Sequence, residues 1–204
     1  MEMIKNIENN TDKYDTYRSL TAKHITAMKH GFFFEALLID YAMLEDRLEA
    51  FLWAAGVMND PGLYKLGNKN NKDTLRDMYN SYVGEIKQTK LSNISAKIAV
   101  SKMLIDFGKT DYTGDSKYLQ ALNKALHDLD LDKLDSALSQ LDDWRQYRNE
   151  VIHGAMSKNV YSLFESLEEK AKAGFEYARI IDNESKKLKR RQYVRKSVRM
   201  PLMK

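Results

Sequence analysis

The segment FFFEALLIDYAMLEDRLEAFLWAAG, residues 32–56, decides the fold class of this chain. Its apolar side chains recur every three or four residues, which is the spacing of one broad face of an α-helix. The stripe comprises Phe34, Leu37, Leu38, Tyr41, Leu44, Leu48, Phe51 and Leu52. Gly56 and the Asn-Asp-Pro-Gly turn that begins at Asn59 end the pattern. We therefore predict a long amphipathic helix over residues 33–55.

Helical spacing recurs along the rest of the chain, and no segment shows sustained strand-like alternation. The predicted helices cover residues 12–29, 33–55, 74–88, 93–107, 116–127, 131–153 and 158–183. In the first of them, Tyr14, Tyr17, Leu20 and Ile25 are expected to face inward. The helices over 33–55 and 131–153 are expected to form the antiparallel spine of an all-α bundle.

Length and composition limit the class of protein. The 204 residues suffice for one domain with a substantial core. The absence of cysteine excludes disulfides, cysteine zinc sites and thiol catalysis. No apolar run approaches the roughly 20 residues of a membrane span, and the polar, acidic N-terminus does not resemble a secretory signal. We expect a cytoplasmic protein with no membrane partner.

The charge is distributed unevenly. Residues 185–204 hold nine of the 33 bases and no acid, so residues 1–184 carry 24 bases against 29 acids, a net charge of −5. We predict a helical domain over 1–184 and a basic, flexible tail over 185–204. Such a tail is either a solvated, frayed terminus or an electrostatic arm for nucleic acid. In the second case its RNA contacts would be Lys186, Lys187, Lys189, Arg190 and Arg191.

Motifs for metals and common catalytic centres do not occur. The four histidines are scattered, and His24 and His30 are expected at the surface. The acids of residues 128–135 resemble the start of a calcium loop but lack its glycine and its final glutamate. Asp128 or Asp130 is instead expected to cap the following helix. We predict neither a metal nor a cofactor.

The helix over 131–153 carries an anomaly in its apolar seam. Leu134, Leu138, Leu141, Arg145, Arg148 and Ile152 follow one another by three or four residues. Burying an unpaired cation costs several kcal/mol, so Arg148 should meet an anionic partner or face a wet cleft. Alternatively, Arg148 is an ordinary surface residue, and His153 before Gly154 merely suits a helix C-terminus.

The stretch RNEVIH, residues 148–153, resembles the signature of the HEPN superfamily. That signature begins with an arginine, which is usually followed by a polar residue such as asparagine. A histidine follows after four to six residues in all, and the motif lies late in a helical bundle. LIDYAMLEDRLEAFL, residues 38–52, is similar to the family's earlier core helix. The resemblance covers residues 12–183 and implies a metal-independent ribonuclease whose homodimer forms a composite active site.

The resemblance also implies roles for individual residues. His153 would act as general acid or base, Arg148 would clamp the scissile phosphate, and Asn149 would orient either the histidine or the phosphate. Arg145, on the same seam, is a candidate for contact with the RNA backbone. Cleavage through the 2′-hydroxyl would leave 2′,3′-cyclic phosphate and 5′-hydroxyl ends.

Further residues and partners follow from the same resemblance. Glu45, Asp46 and Arg47 would line the cleft opposite the motif, behind the residues that touch the RNA. An antitoxin or a sensor protein is a possible partner. HEPN toxins that pair with a nucleotidyltransferase antitoxin carry a modified tyrosine two residues after the histidine, and Ala155 stands there in this chain.

Three functions remain open at this point. The first is a toxin or antiphage effector that cleaves RNA. The second is a non-catalytic HEPN-like module that binds nucleic acid or a nucleotide. The third is a helical interaction protein in which Arg148 pairs with an acid such as Glu45.

Overall fold

The computed structural model describes residues 10–59, 65–83, 91–154 and 164–200, and within these ranges the chain is all-α. The helices are α1 (Asn10–Lys29), α2 (Phe33–Ala54), α3 (Lys72–Val83), α4 (Ile94–Gly108), α5 (Lys117–Leu126), α6 (Leu131–Gly154), α7 (Leu167–Arg190) and α8 (Tyr193–Ser197). The described part contains no strand, only an isolated bridge between Met58 and Leu66.

The ends of most helices agree with the sequence prediction because local signals set them. Five predicted helices, over 12–29, 33–55, 93–107, 116–127 and 131–153, match α1, α2, α4, α5 and α6 to within two residues. The Asn93 side chain accepts a hydrogen bond from the Ala96 amide at 2.7 Å and caps α4. Asp130 accepts from the Lys133 amide at 3.1 Å, which confirms the predicted cap of α6. Residues 84–88 and 158–163, predicted helical, lie outside the described ranges.

The most extensive helix pair is α2 with α7. Ala36 of α2 and Ala171 of α7 belong to one fully buried cluster near the start of both helices. Further along, Arg47 donates to Asp182 at 2.6 Å. Since the contacts advance along both helices together, α2 and α7 run parallel.

The helix α6 returns antiparallel to α7. Trp144 Nε1 donates to the Lys170 carbonyl at 2.6 Å, and Tyr177 donates to Gln140 Oε1 at 3.0 Å. The principal neighbours of α6 are α4 and α7, so the structure does not pair α2 with α6 as the predicted spine. The contact between α2 and α7 includes the small side chains of Ala36 and Ala171. The leucine spacing of α6 did not predict this contact.

The inward face of α1 differs from the prediction. Tyr14 is 67% exposed and Ile25 is 58% exposed. The face toward α2 instead contains Tyr17, His24 and Ala27, at the three- and seven-residue steps of a helix. The prediction therefore held for Tyr17 and Leu20, which pack against the core, and was wrong for Tyr14 and Ile25. It followed apolar residues alone, whereas the contact also uses a histidine and a small alanine.

The C-terminal residues belong to the helical body. The helix α7 continues seven residues beyond its predicted end, and the side chains of Leu188, Val194 and Val198 are fully or almost fully buried. The Arg195 guanidinium lies 3.8 Å from the Trp53 ring and donates to the Trp53 carbonyl. Residues 185–200 are therefore not a flexible tail, because burying these apolar side chains outweighs the solvation of the cations between them.

None of the helices in the described ranges combines the length and the apolar character that crossing a bilayer requires.

Replacing Gly174 with alanine tests how closely α6 and α7 pack. A Cβ at this position would lie 2.6 Å from Cζ2 of Trp144, an indole that is 1% exposed and held by its hydrogen bond to Lys170. Overpacking costs about 1–3 kcal/mol, and so short a contact with a buried indole belongs to the upper part of that range, about 2–3 kcal/mol. Alanine gains about 1 kcal/mol of helix propensity over glycine, which offsets part of that cost. We expect Gly174→Ala to lower the free energy of unfolding in urea by about 1–2 kcal/mol. The exposed Lys172→Ala serves as the control, and equal stability of both variants would contradict the close contact.

Candidate functional site

The last turns of α6 carry a polar stripe, which we define as Arg145, Asn149 and His153. These residues are four positions apart and therefore share one face of the helix. Arg145 and Asn149 are half-buried, and His153 is exposed. Arg148 lies next to the stripe and is joined to it, because its Nη1 donates to Asn149 Oδ1 at 3.1 Å. The structure thus links the arginine to the face that carries the histidine.

Arg148 is held by an aromatic ring. Its guanidinium carbon lies 3.9 Å from the centroid of the Tyr41 ring on α2, a distance at which the cation is attracted to the ring face. Among the described residues Arg148 forms no ion pair, and its buried Nε has no hydrogen-bond partner. The predicted anionic partner is therefore replaced by Tyr41. The ring fixes the plane of the guanidinium and leaves Nη2 without a described partner.

Three residues that were predicted to line the cleft instead hold neighbouring helices to α2. They are Glu45, Asp46 and Arg47. Glu45 accepts from the fully buried Lys97 of α4 at 2.8 Å. Asp46 pairs with Lys13 of α1 at 2.6 Å, and Arg47 bonds to both Asp46 and α7. Within the described residues none of the three contacts Arg148 or His153. The Glu45–Arg148 pair of the third hypothesis does not form either.

The cations predicted to bind RNA are partly neutralised. Lys186 pairs with Asp182 at 2.5 Å, Lys187 with Glu184 at 2.8 Å, and Arg191 with Asp128 at 2.9 Å. On α6, Arg145 pairs with Asp142 at 3.0 Å. The exposed Lys189 and Arg190 form no ion pair within the described part of the chain.

The basic C-terminal residues and the RNEVIH motif lie at opposite ends of the bundle. Arg191 lies beside Asp128, just before α6 begins. Arg148 follows 20 residues later, which corresponds to about 30 Å along a helix that rises about 1.5 Å per residue. Within one protomer, Lys189 and Arg190 therefore cannot contact a phosphate bound at Arg148.

His153 is the single histidine of the site in the described part of one chain. No described carboxylate or second imidazole contacts it, and Ala155, with the rest of residues 155–163, lies outside the described ranges. His127 lies at the other end of α6, where its Nε2 is 3.2 Å from Asn123 Oδ1. Within the described residues, one protomer thus places one imidazole at the site, beside one arginine whose Nε and Nη2 have no described partner.

A buried acid–imidazole pair was missed by the sequence analysis. His24 is 4% exposed rather than at the surface, and its Nδ1 lies 2.8 Å from Oδ1 of the fully buried Asp40. The ring stacks on Phe175 of α7 at a centroid distance of 4.3 Å. Burial raises the pKa of Asp40 to about 6, and the contact with His24 opposes that rise. The available signal was Asp40 itself, an acid within the apolar stripe of residues 32–56.

No group of three histidine, aspartate or glutamate side chains converges as a metal ligand set within the described ranges. Comparison of the chain with protein-family models, with curated proteins and with solved structures finds no match.

Substituting Asp40 tests the buried pair through the pH dependence of stability. Because the folded pKa of about 6 lies above the ordinary value of 3.8 for an aspartate, the carboxyl stabilises the fold fully below pH 3.8. That contribution is lost as the pH rises through 6. Relative to Asp40→Asn, the wild type should lose up to about 3 kcal/mol of unfolding free energy between pH 4 and 7. Urea unfolding across this range measures the difference, with Asp115→Asn as an exposed control. A difference independent of pH would refute the assignment.

Proposed function

We propose that this chain is a metal-independent endoribonuclease of the HEPN type that acts as a homodimer, as a toxin or antiphage defence effector. The observation that carries the proposal is the support of Arg148 by Tyr41, beside the stripe that ends at His153, with guanidinium donors that have no acidic partner among the described residues. A half-buried arginine placed in this way is suited to bind an anion. The resemblance of RNEVIH to the HEPN signature names that anion as the scissile phosphate of RNA.

The proposed reaction uses the 2′-hydroxyl of the RNA as the nucleophile. Its oxygen attacks the adjacent phosphorus, the bond from phosphorus to O5′ breaks, and the products end in 2′,3′-cyclic phosphate and 5′-hydroxyl. The proton of the 2′-hydroxyl passes to a base, and an acid returns a proton to O5′. His153 exchanges these protons. Arg148 binds the non-bridging oxygens, on which negative charge grows in the transition state.

The proposed homodimer supplies what one protomer lacks. Two proton transfers occur in each cleavage, and the described residues of one chain place one imidazole at the site. A two-fold axis beside the exposed end of α6 would bring a second His153 and a second Arg148 to the same phosphate. Asn149, hydrogen-bonded to Arg148, would keep the arginine next to the imidazole face. Two arguments support the proposed dimer. One is the family resemblance, and the other is that two proton transfers are needed while the described residues of one protomer place one imidazole at the site.

Cleavage of a labelled RNA in EDTA tests the proposal. We expect the wild type to cut, and His153→Ala to lower the rate by about 100-fold or more because proton transfer is lost. Arg148→Ala should lower it by about 100- to 1,000-fold because the developing charge loses its donors. Mass spectrometry identifies the cyclic phosphate ends. His30→Ala, at another exposed histidine, is the matched control. A requirement for a divalent metal, or activity that survives both substitutions, would contradict the mechanism.

The role of Tyr41 is tested separately, since it acts through Arg148 and is a positioning residue. Tyr41→Phe retains the ring and should cleave at nearly the wild-type rate. Tyr41→Leu removes the cation–π contact and should reduce kcat/KM by about tenfold. Thermal unfolding of both variants accounts for any loss of stability. Equal losses of activity in the two variants would show that the ring does not position the guanidinium.

A second candidate function is a non-catalytic module that binds nucleic acid or a nucleotide. The exposed Lys189 and Arg190, without ion pairs among the described residues, favour it. Truncating the C-terminus would also remove the buried Arg195, so point substitutions are the better test. The chain is a binding module if two results are obtained together. The wild type binds RNA in a salt-dependent way without ever cutting it, and Lys189→Ala and Arg190→Ala abolish that binding.

A further inference from the structure

A cavity lined by cations and asparagines lies beyond the end of α2, remote from the polar stripe. It has a volume of about 830 Å³, within the range of ligand-sized pockets. Its wall is formed by the turn that precedes α3 and by Arg199, two residues after the end of α8. The cationic lining residues are Lys65, Lys69, Lys72 and Arg199, and Asn59, Asn68 and Asn70 also line the cavity.

The charged side chains in the described lining of this cavity are all positive. Its described lining contains four cations and no carboxylate. All four cations are exposed, and none forms an ion pair within the described ranges. Lys186, Lys187 and Arg191, by contrast, all have acidic partners. The described chain leaves the charge of the cavity uncompensated.

The turn that carries these cations is held rigidly by asparagines. Asn71 is buried, accepts from the Asn68 amide at 2.8 Å and donates to the Gly56 carbonyl at 2.9 Å. Asn68 and Asn70 both donate from Nδ2 to the Val198 carbonyl, at 3.0 and 2.8 Å. These bonds fasten the turn to the end of α2 and to the chain after α8. The cationic groups are therefore presented by a preorganised backbone.

The backbone at Arg199 is unusual for an arginine. Its φ is +53°, the left-handed region that favours glycine. The amide of Arg199 bonds to the Lys196 carbonyl at 3.0 Å, and that of Met200 to the Arg195 carbonyl at 3.0 Å. This is the Schellman arrangement, in which the left-handed residue is usually glycine. An arginine held in this conformation at the rim of a cationic cavity suggests a use for the side chain.

From these observations we infer that the cavity binds phosphate groups of an RNA strand, at a site separate from the polar stripe. Phosphate oxygens match the ligand that clustered ammonium, guanidinium and amide donors recognise. Lysine and arginine side chains of the kind that line the cavity contact phosphate and sugar without reading sequence, so contact with the backbone is favoured over recognition of a base. The inference does not depend on cleavage, and it holds for either function proposed above.

The cavity lies at the same end of the bundle as Lys189 and Arg190. Arg195 of α8 bonds to carbonyls at the end of α2, and Asn68 and Asn70 reach the residue before Arg199. Exposed cations of α7 and the cavity therefore surround one end of the parallel α2–α7 pair. A strand bound there would approach the stripe of the same protomer only after crossing the length of the bundle.

Binding of a fluorescein-labelled, fully 2′-O-methylated oligouridine, followed by fluorescence anisotropy, tests the inference. This RNA lacks a free 2′-hydroxyl, so the result is independent of the proposed reaction. The variant Lys65→Gln/Lys69→Gln/Lys72→Gln should bind about tenfold more weakly near 0.1 M salt. The slope of log affinity against log salt should become shallower by about 2, at roughly 0.7 per phosphate contact for a single strand. The control with the same loss of charge at exposed lysines elsewhere is Lys23→Gln/Lys124→Gln/Lys133→Gln.

Calorimetric titration of the same proteins with AMP distinguishes the source of the phosphate. Loss of RNA affinity in the cavity variant alone, without measurable AMP binding, supports a polynucleotide ligand. Loss of AMP affinity with unchanged RNA affinity assigns the phosphate site to a free nucleotide and overturns the RNA assignment. If the cavity variant and its control behave alike toward both ligands, the site does not exist.

Arg199→Gly separates the ligand role from the structural one. Glycine adopts the left-handed conformation without strain, so the thermal midpoint should stay equal or rise. The RNA affinity should nevertheless fall severalfold, and the salt slope should lose about 0.7. Unchanged affinity in this variant would overturn the assignment of Arg199 to the site.

Discussion

The parallel packing of α2 against α7 is the constraint on which the rest of the structure depends. Two parallel neighbours cannot be joined by a short turn, so the chain between them must return to its starting end. It does so largely as helices, and α6 completes the return antiparallel to α7. The motif at the end of α6 therefore arrives beside the first half of α2, where Tyr41 is available to Arg148. The C-terminal residues, in turn, meet the end of α2.

Local sequence signals predicted the helices well and their partners poorly. Periodicity and caps placed five helices to within two residues, because both act through neighbours in sequence. The spine was wrong, since α2 packs most extensively on α7, where Ala36 and Ala171 share a buried cluster, and an apolar pattern gives such small residues little weight. The boundary at residue 184 failed because charge was counted ahead of Leu188 and Val194, whose burial secures the C-terminal end.

The site was predictable in part. The seam of α6 correctly marked Arg148 as a residue that needs a partner, because the cost of a buried cation can be deduced from sequence. The identity of that partner could not be deduced, since Tyr41 lies more than 100 residues away and belonged to the predicted core. The pair of His24 and Asp40 and the cavity beside Arg199 join distant segments in the same way. Only the three-dimensional arrangement of the helices brings such groups together.

The packing of α2 also bears on the synthesis of the chain. Since α7 covers α2 and begins more than 100 residues after α2 ends, a nascent chain leaving the ribosome exposes an apolar α2 face until α7 has been synthesised. Contacts so distant in sequence also slow folding. A chain that terminates early therefore cannot cover α2 or finish the surroundings of Tyr41. Prematurely terminated products should be aggregation-prone clients of chaperones and proteases rather than partially active molecules.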